Sequence, residues 1–147
     1  MLNQTINGIA QKLNQVFGDE YEIHIDQVEQ DLKEPCFLIV CVDGRQKQEV
    51  GPLYFREQAF DIHYFPQSKK KSAREINSVL ELLYTGMEYI EIGVIGGNLV
   101  RGMKMKHEVI DGVLHFFVNY DIRIRKAIEP EDAMEGIEIN GGIKSGE

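Results

Sequence analysis

One stretch near the C-terminal end of the chain, LVRGMKMKHEVIDGVLHFFVNYDIRI, predicts its own strand pairing. Asp111-Gly112 is a strong signal for a two-residue hairpin turn, so Ile110 should face Val113 and the numbers of facing residues should sum to 223. The apolar side chains that then share one face are Met103, Met105, Val109, Leu114, Phe116, Val118 and Tyr120. This agreement between turn and alternation predicts a long antiparallel hairpin with one buried face.

The periodicity of the other segments predicts helices and strands in a definite order. Apolar residues at steps of three and four indicate a first helix that Gly18 ends, and Ser72 with Glu75 forms the S-x-x-E capping box of a second helix. The predicted segments before the hairpin are a helix at 2–17, strands at 21–25, 36–42 and 54–65, a helix from residue 72, and a strand at 89–92. We therefore predict an α+β domain in the order helix, three strands, helix, three strands. Its mostly antiparallel sheet of about six strands should carry both helices on one face.

The segment CFLIVCV, residues 36–42, is apolar on both faces, which is typical of a strand covered on both sides. Asp43-Gly44 follows it directly and predicts another hairpin turn. Cys36 and Cys41 lie five residues apart in this strand, so their side chains point to opposite faces and cannot bridge each other. Both are interpreted as small core residues.

The length of 147 residues allows one domain with a real core, which we assign to residues 1–127. Residues 128–147 are acidic, rich in glycine and without periodicity, so we predict an extended arm or a disordered tail there. No apolar run approaches the roughly 20 residues that span a bilayer, and the N-terminus lacks the pattern of a signal peptide. A cytoplasmic protein without a membrane partner is expected.

The sequence does not predict an enzyme. The glycine-rich GVIGGNLVRG, residues 93–102, leads into a strand, whereas a phosphate-binding loop must open a helix. Among the four histidines, His107 and His115 fall on opposite faces of the hairpin, and His24 and His63 are too few for a metal site without a third ligand. We therefore expect no catalytic residue, no cofactor and no metal.

A basic strip on the outer face of the hairpin is the strongest candidate for a binding surface. Its residues are Lys104, Lys106, His115, Phe117, Arg123 and Arg125. The strip stands out because the chain has a net charge of −8, which opposes binding to nucleic acid as a whole. It can be a solvated face, a nucleic-acid surface, or a contact with the acidic side of another copy, which would join subunits head to tail in a ring. The three lysines at 69–71 precede a helix and are expected to be solvated in a loop.

The element order and four long stretches resemble the phage tail terminator family of contractile and related tails in Gram-positive hosts. The stretches are EYEIHIDQVEQDLKEPCFLI, YFREQAFDIHYFP, LVRGMKMKHEVIDGVLHFFVNYDIRI and MEGIEIN. The resemblance covers residues 1 to about 140. It implies a structural subunit of a ring, usually a hexamer, that caps the tail tube, ends tail elongation and offers the docking surface for the head or collar.

The partners that the resemblance implies are further copies of the chain and the tail tube protein, with sheath and head-neck or collar proteins as further neighbours. DNA would only pass through an acidic lumen. The protein would assemble in the host cytoplasm and end at the top of the tail of a virion or a tail-like particle. The alternatives are a neck or head-tail connector subunit, or, in a different class, a nucleic-acid-binding protein that uses Lys104, Lys106, Arg123 and Arg125.

Overall fold

The computed structural model describes residues 2–25, 33–93 and 97–126. The helices and strands of this part of the chain are α1 Leu2–Phe17, β1 Glu22–Ile25, β2 Cys36–Gln48, β3 Leu53–Phe65, α2 Ser72–Gly86, β4 Tyr89–Ile92, β5 Asn98–Ile110, β6 Val113–Tyr120 and β7 Ile122–Arg125. The predicted α+β class and element order are confirmed, with one strand more after α2. Asp121 interrupts the last predicted strand, and its carboxylate accepts a hydrogen bond from the backbone N–H of Gln58.

The strands form a mixed sheet in the order β1-β2-β3-β6-β5-β4, and β7 pairs with β3 outside this path. β1 runs parallel to β2, whereas the pairs β3–β6, β5–β6 and β4–β5 are antiparallel. The described residues fall into two compact units. The first contains both helices and runs up to Arg45 and from Glu57 to Ile122, and the second contains Gln46–Arg56 and the described residues from Arg123 onward.

The core of the first unit lies between the helices and one face of the sheet. The predicted inward residues of β3 and β6 are buried, and so are those of α2; they are Phe60, Ile62, Tyr64, Leu114, Phe116, Val118, Tyr120, Ile76, Val79, Leu80 and Leu83. Phe17 of α1 packs against Phe37 of β2 with ring centroids 4.8 Å apart. Tyr84 of α2 meets Phe116 edge to face at 5.1 Å. No helix in the described ranges is long and apolar enough to cross a membrane.

The predicted turn at Asp43-Gly44 is wrong, because β2 continues through both residues to Gln48. Neither residue adopts the positive φ that a two-residue hairpin turn requires. The chain reverses instead around Gly51, whose φ is +56°. The prediction that both cysteines are core residues is correct only for Cys36: burial along β2 ends after Ile39, so Cys41 is exposed.

The predicted capping box of α2 is also wrong. The residue before the helix is Lys71, and no side chain caps the helix start. Glu75 instead accepts hydrogen bonds from the backbone N–H groups of Gln67 at 2.7 Å and Ser68 at 3.0 Å. The carboxylate therefore holds the loop before the helix, and the lysines of that loop are exposed as predicted.

The hairpin register is right near the turn and wrong farther away. Asp111 and Gly112 have φ of +52° and +79°, as the predicted turn requires, and pairs from Ile110↔Val113 to Lys106↔Phe117 sum to 223. A β-bulge then shifts the register, so that Met103 faces Asn119. The buried-face prediction therefore fails for two β5 residues: Met103 is 47% exposed, and Val109, near the hairpin tip, is 53% exposed.

The bulge brings a glycine to the inner face. Gly102 pairs with Tyr120, and its N–H donates to the carbonyl of Glu88 at 2.6 Å. A Cβ atom at this position would lie 2.8 Å from the carbonyl oxygen of Met87 and 3.0 Å from a methyl group of Val118. A larger residue at this position would force its surroundings to shift, because β5 closely approaches the backbone at the end of α2.

Two predictions concern residues outside the described ranges. One is the predicted arm or tail at 128–147, together with the domain boundary before it. The other is the middle of the glycine-rich loop at 94–96. Both remain predictions from sequence.

Candidate functional site

The outer face of the β5–β6 hairpin brings three of the six predicted interface residues together. His115 and Phe117 alternate with the buried residues of β6 and are half-buried. Lys106 pairs with Phe117 in the ladder, and its Nζ lies 5.2 Å from the centroid of the Phe117 ring. His115 stacks near the same ring, with centroids 6.4 Å apart and an interplanar angle of 19°. A cation over an aromatic face at an exposed site contributes about 0.5 to 1 kcal/mol.

The bulge changes the composition of this face. Lys104 is exposed and has φ of +55°, so the simple alternation that placed it beside Lys106 does not apply. Met103, predicted to be in the core, lies opposite Asn119 and is 47% exposed. The outer face is therefore more apolar than predicted. We call Met103, Lys106, His115 and Phe117 the hairpin face.

Arg123 and Arg125 belong to the second unit, where both are exposed. The guanidinium of Arg123 lies 5.2 Å from the Phe55 ring centroid, and its Nε donates to Glu49 at 3.1 Å. Lys126 lies over the Tyr54 ring at 4.3 Å. The charge of Arg123 is therefore already balanced by a carboxylate, in an exposed pair of the kind that contributes little stability.

A buried carboxylate on β3 is the feature that the sequence did not predict. Asp61 is 6% exposed and lies on the outer face of β3, two residues before His63. Its Oδ2 is 3.0 Å from Nε2 of His63 and 2.9 Å from Nδ1 of His115. The two histidine rings lie 4.2 Å apart between centroids. We call Asp61, His63 and His115 the histidine–aspartate cluster.

The charge on Asp61 is set by two opposing effects. Burial would raise the pKa of this carboxyl, but the hydrogen bonds and charges of His63 and His115 outweigh burial, so its pKa lies below the ordinary value. The other carboxylate oxygen, Oδ1, is buried and has no hydrogen-bond partner among the described residues. A buried anionic oxygen without a donor is uncommon in folded proteins.

Residue spacing alone could not reveal the cluster. His63 and His115 face each other because β3 pairs with β6, and these strands are separated in the chain by α2, β4 and β5. The alternation inside the β5–β6 hairpin relates His115 only to His107, which it places on the opposite face. His107 instead lies beside α2, with its Nδ1 2.8 Å from the hydroxyl of Tyr84.

The exposed lysines before α2 do not form a cluster like that of Asp61, His63 and His115 in the described part of the chain. Lys69 forms an ion pair with Glu34 at 3.3 Å, with its side chain 77% exposed. Lys70 and Lys71 are exposed as well. These exposed positions agree with the solvated loop that the sequence predicts.

Comparison with models of known protein families identifies a match over most of the chain. A family model described as phage tail terminator protein matches residues 4–132, which include all of the helices and strands described above except the first two residues of α1. A search of curated proteins found no match.

Proposed function

The chain belongs to the phage tail terminator family, a family of structural tail proteins, and from this premise we propose that it is the ring-forming subunit that caps the tail tube. In this role it ends tail elongation and offers a docking surface to the head or collar. The observation that carries the proposal is the length of the family match, from residue 4 to residue 132. A match of this extent includes every described strand and all but the first two residues of the helices, which supports a role for the domain as a whole.

The proposed ring joins copies head to tail, with the hairpin face of one subunit against an acidic surface of the next. Methionine and aromatic residues are enriched in protein interfaces, and Met103 and Phe117 both lie on this face, with the cation of Lys106 over the Phe117 ring. The hairpin face presents the cation of Lys106, whereas the chain as a whole has a net charge of −8 and therefore an excess of acidic groups elsewhere. Complementary charge would then favour association between copies. Lys104, Arg123 and Arg125 are further candidates for this contact.

The remaining partners follow from the proposed place at the end of the tube. The ring would bind the tail tube protein on one side and neck, collar or sheath proteins on others. A net charge of −8 per subunit also favours passage of DNA through the lumen without binding, because the phosphate backbone would be repelled.

Native mass spectrometry of the purified, untagged protein, alone and with tail tube protein, tests ring formation. We expect a closed assembly with a fixed subunit number, present alone or induced by the tube protein. In a host that produces the particles, deletion of the gene should give tails of irregular length. A protein that stays monomeric in both mixtures, together with tails of normal length after deletion, would overturn the proposal.

A further inference from the structure

We propose that Asp61, His63 and His115 form a binding site for a divalent transition-metal ion, and that zinc is the ion they suit best. The site lies on the outer face of β3 and β6. The proposal does not depend on ring formation or tube capping. The metal site and the proposed function can therefore be tested and rejected separately.

Strand pairing places the three side chains at fixed positions. His63 and His115 are direct partners in the antiparallel ladder of β3 and β6, and Asp61 is on the same face two residues earlier. β3 and β6 lie inside the sheet order, between β2 and β5. A site built on paired strands keeps its ligands closer to a productive geometry than a site on loops does.

The distances suit a tetrahedral ion. Oδ2 of Asp61 lies 3.0 Å from Nε2 of His63 and 2.9 Å from Nδ1 of His115, and all three ligand atoms lie within 4.8 Å of one another. Around zinc with bonds of about 2.1 Å, neighbouring ligand atoms are about 3.4 Å apart. The side chains would need only small rotations to admit the ion.

The donor set is the second argument. Two imidazole nitrogens and one carboxylate oxygen are ligands that zinc accepts in proteins, with the remaining position left to water. The imidazole rings can present these nitrogens as lone pairs when the ring proton sits on the other nitrogen. The histidine side chains are 20% and 17% exposed, so the cluster is partly open to solvent.

The third argument is the buried oxygen that the hydrogen bonds do not use. Both histidines lie close to Oδ2 of Asp61, whereas Oδ1 has no hydrogen-bond partner among the described residues. A cation between the carboxylate and the imidazole rings would balance the negative charge of the buried Asp61 carboxylate. An ion that both carboxylate oxygens contact would give Oδ1 the partner that the two histidines do not supply, and a buried polar atom without a partner carries a free-energy cost.

Zinc binding can be measured on the untagged full-length protein after treatment with a chelator and removal of the chelator. Isothermal titration with zinc chloride should give about one ion per chain, and elemental analysis after gel filtration should find the same ratio. His63→Gln and His115→Gln should each weaken zinc binding by at least about tenfold, since even loss of residues that support a ligand costs 10- to 100-fold. Circular dichroism without metal checks that each variant is folded.

Two controls separate this site from other zinc ligands. The double variant His24→Gln, His107→Gln removes the same kind of side chain elsewhere and should bind zinc as the unaltered protein does. Cys41→Ser removes the exposed thiol and should also leave binding unchanged.

Cobalt offers a readout that needs no variant, because a site of nitrogen and oxygen ligands gives tetrahedral d–d absorption without a thiolate charge-transfer band.

The unaltered protein could bind no zinc, or either folded cluster variant could bind zinc as tightly as the unaltered protein does. Each result would overturn the proposal, and the cluster would then be a hydrogen-bonded group only. A cobalt spectrum dominated by thiolate charge transfer would overturn it as well, since the ligands would then include cysteine.

Discussion

The hydroxyl of Tyr64 donates a 2.6 Å hydrogen bond to Oε2 of Glu75 and thereby joins β3 to the first turn of α2. Tyr64 is 1% exposed, so its hydroxyl depends on this acceptor. The same carboxylate accepts the backbone N–H groups of Gln67 and Ser68. One side chain therefore connects the sheet, the helix and the loop between them.

Removal of this hydroxyl should destabilise the domain. We expect Tyr64→Phe to lower the free energy of unfolding by about 1 to 2 kcal/mol, because a charge-assisted bond is lost and Glu75 loses a donor. Tyr84→Phe is the matched control, since the Tyr84 hydroxyl bonds His107 at the surface and its loss should cost about 0.5 kcal/mol or less. Urea unfolding of both variants measures the difference. Equal losses in the two variants would contradict this role of Tyr64.

The ionisation of Glu75 should appear in the pH dependence of stability. Burial would raise the pKa of Glu75, but the hydrogen bonds from Tyr64, Gln67 and Ser68 outweigh burial and hold its pKa below the ordinary value. A lowered pKa in the folded state means that the contribution is present above the unfolded pKa and is lost as the pH falls through the folded pKa. We expect the free energy of unfolding to fall less steeply between about pH 5 and pH 3 in Glu75→Gln than in the unaltered protein. Parallel pH curves from urea unfolding would contradict the expectation.

The close approach at the bulge can be tested with one methyl group. Gly102→Ala should lower the free energy of unfolding by about 1 to 3 kcal/mol, because the new Cβ would lie 2.8 Å from the backbone carbonyl of Met87. Arg101→Ala, at the exposed neighbouring position of β5, should change it by about 0.5 kcal/mol or less. Thermal unfolding of both variants measures these two changes in stability. An unchanged Gly102→Ala protein would show that β5 does not approach α2 this closely.

The two faces of β6 should respond differently to the same charge. Val118 is fully buried, so Val118→Asp should cost several kcal/mol, about enough to unfold the domain. Asn119→Asp places the carboxylate on the half-buried outer face and should leave a folded protein. Circular dichroism and the dispersion of amide signals in NMR spectra distinguish the outcomes. A folded Val118→Asp protein would mean that the alternation of β6 is misassigned.

Charge reversal on the hairpin face tests the proposed subunit contact. Lys106→Glu should shift the assembly toward monomers at low salt, and modestly so, because an exposed pair contributes at most about 1 kcal/mol per junction. Lys70→Glu, an equal change of charge in the exposed loop before α2, should leave assembly unchanged. Arg123→Glu is a poorer single test, since it also removes the pair with Glu49. If Lys106→Glu forms rings as readily as the unaltered protein in sedimentation experiments, the contact lies elsewhere.

Features that depend on neighbouring residues could be predicted from the sequence. Gly18 ends α1 with φ of +89°, and Asp111-Gly112 forms the predicted turn with both φ values positive. The alternation of Leu114, Phe116 and the rest of β6 correctly identified its buried face. These predictions hold because turn geometry and side-chain direction are set within a few residues, whatever the rest of the chain does.

Features that depend on which distant segments meet were decided by the tertiary structure. Asp43-Gly44 has the composition of a turn, yet β2 passes through it in an extended conformation. The register of β5 shifts at a bulge between Met103 and Lys106, beside the point where Gly102 closely approaches the backbone of Met87, a residue that comes earlier in the chain. Local composition offers several compatible conformations, and long-range packing selects one of them.

The hairpin face and the histidine–aspartate cluster also differ in how far the sequence could predict them. The sequence alone predicted that Lys106, His115 and Phe117 share one face, because the alternation of two strands around a short turn determines it. The sequence could not place His63 beside His115, since that contact needs the pairing of β3 with β6 across an intervening helix and two strands. Residue spacing therefore determined the face of each strand, whereas the long-range pairing of the sheet decided which histidines and which carboxylate lie together.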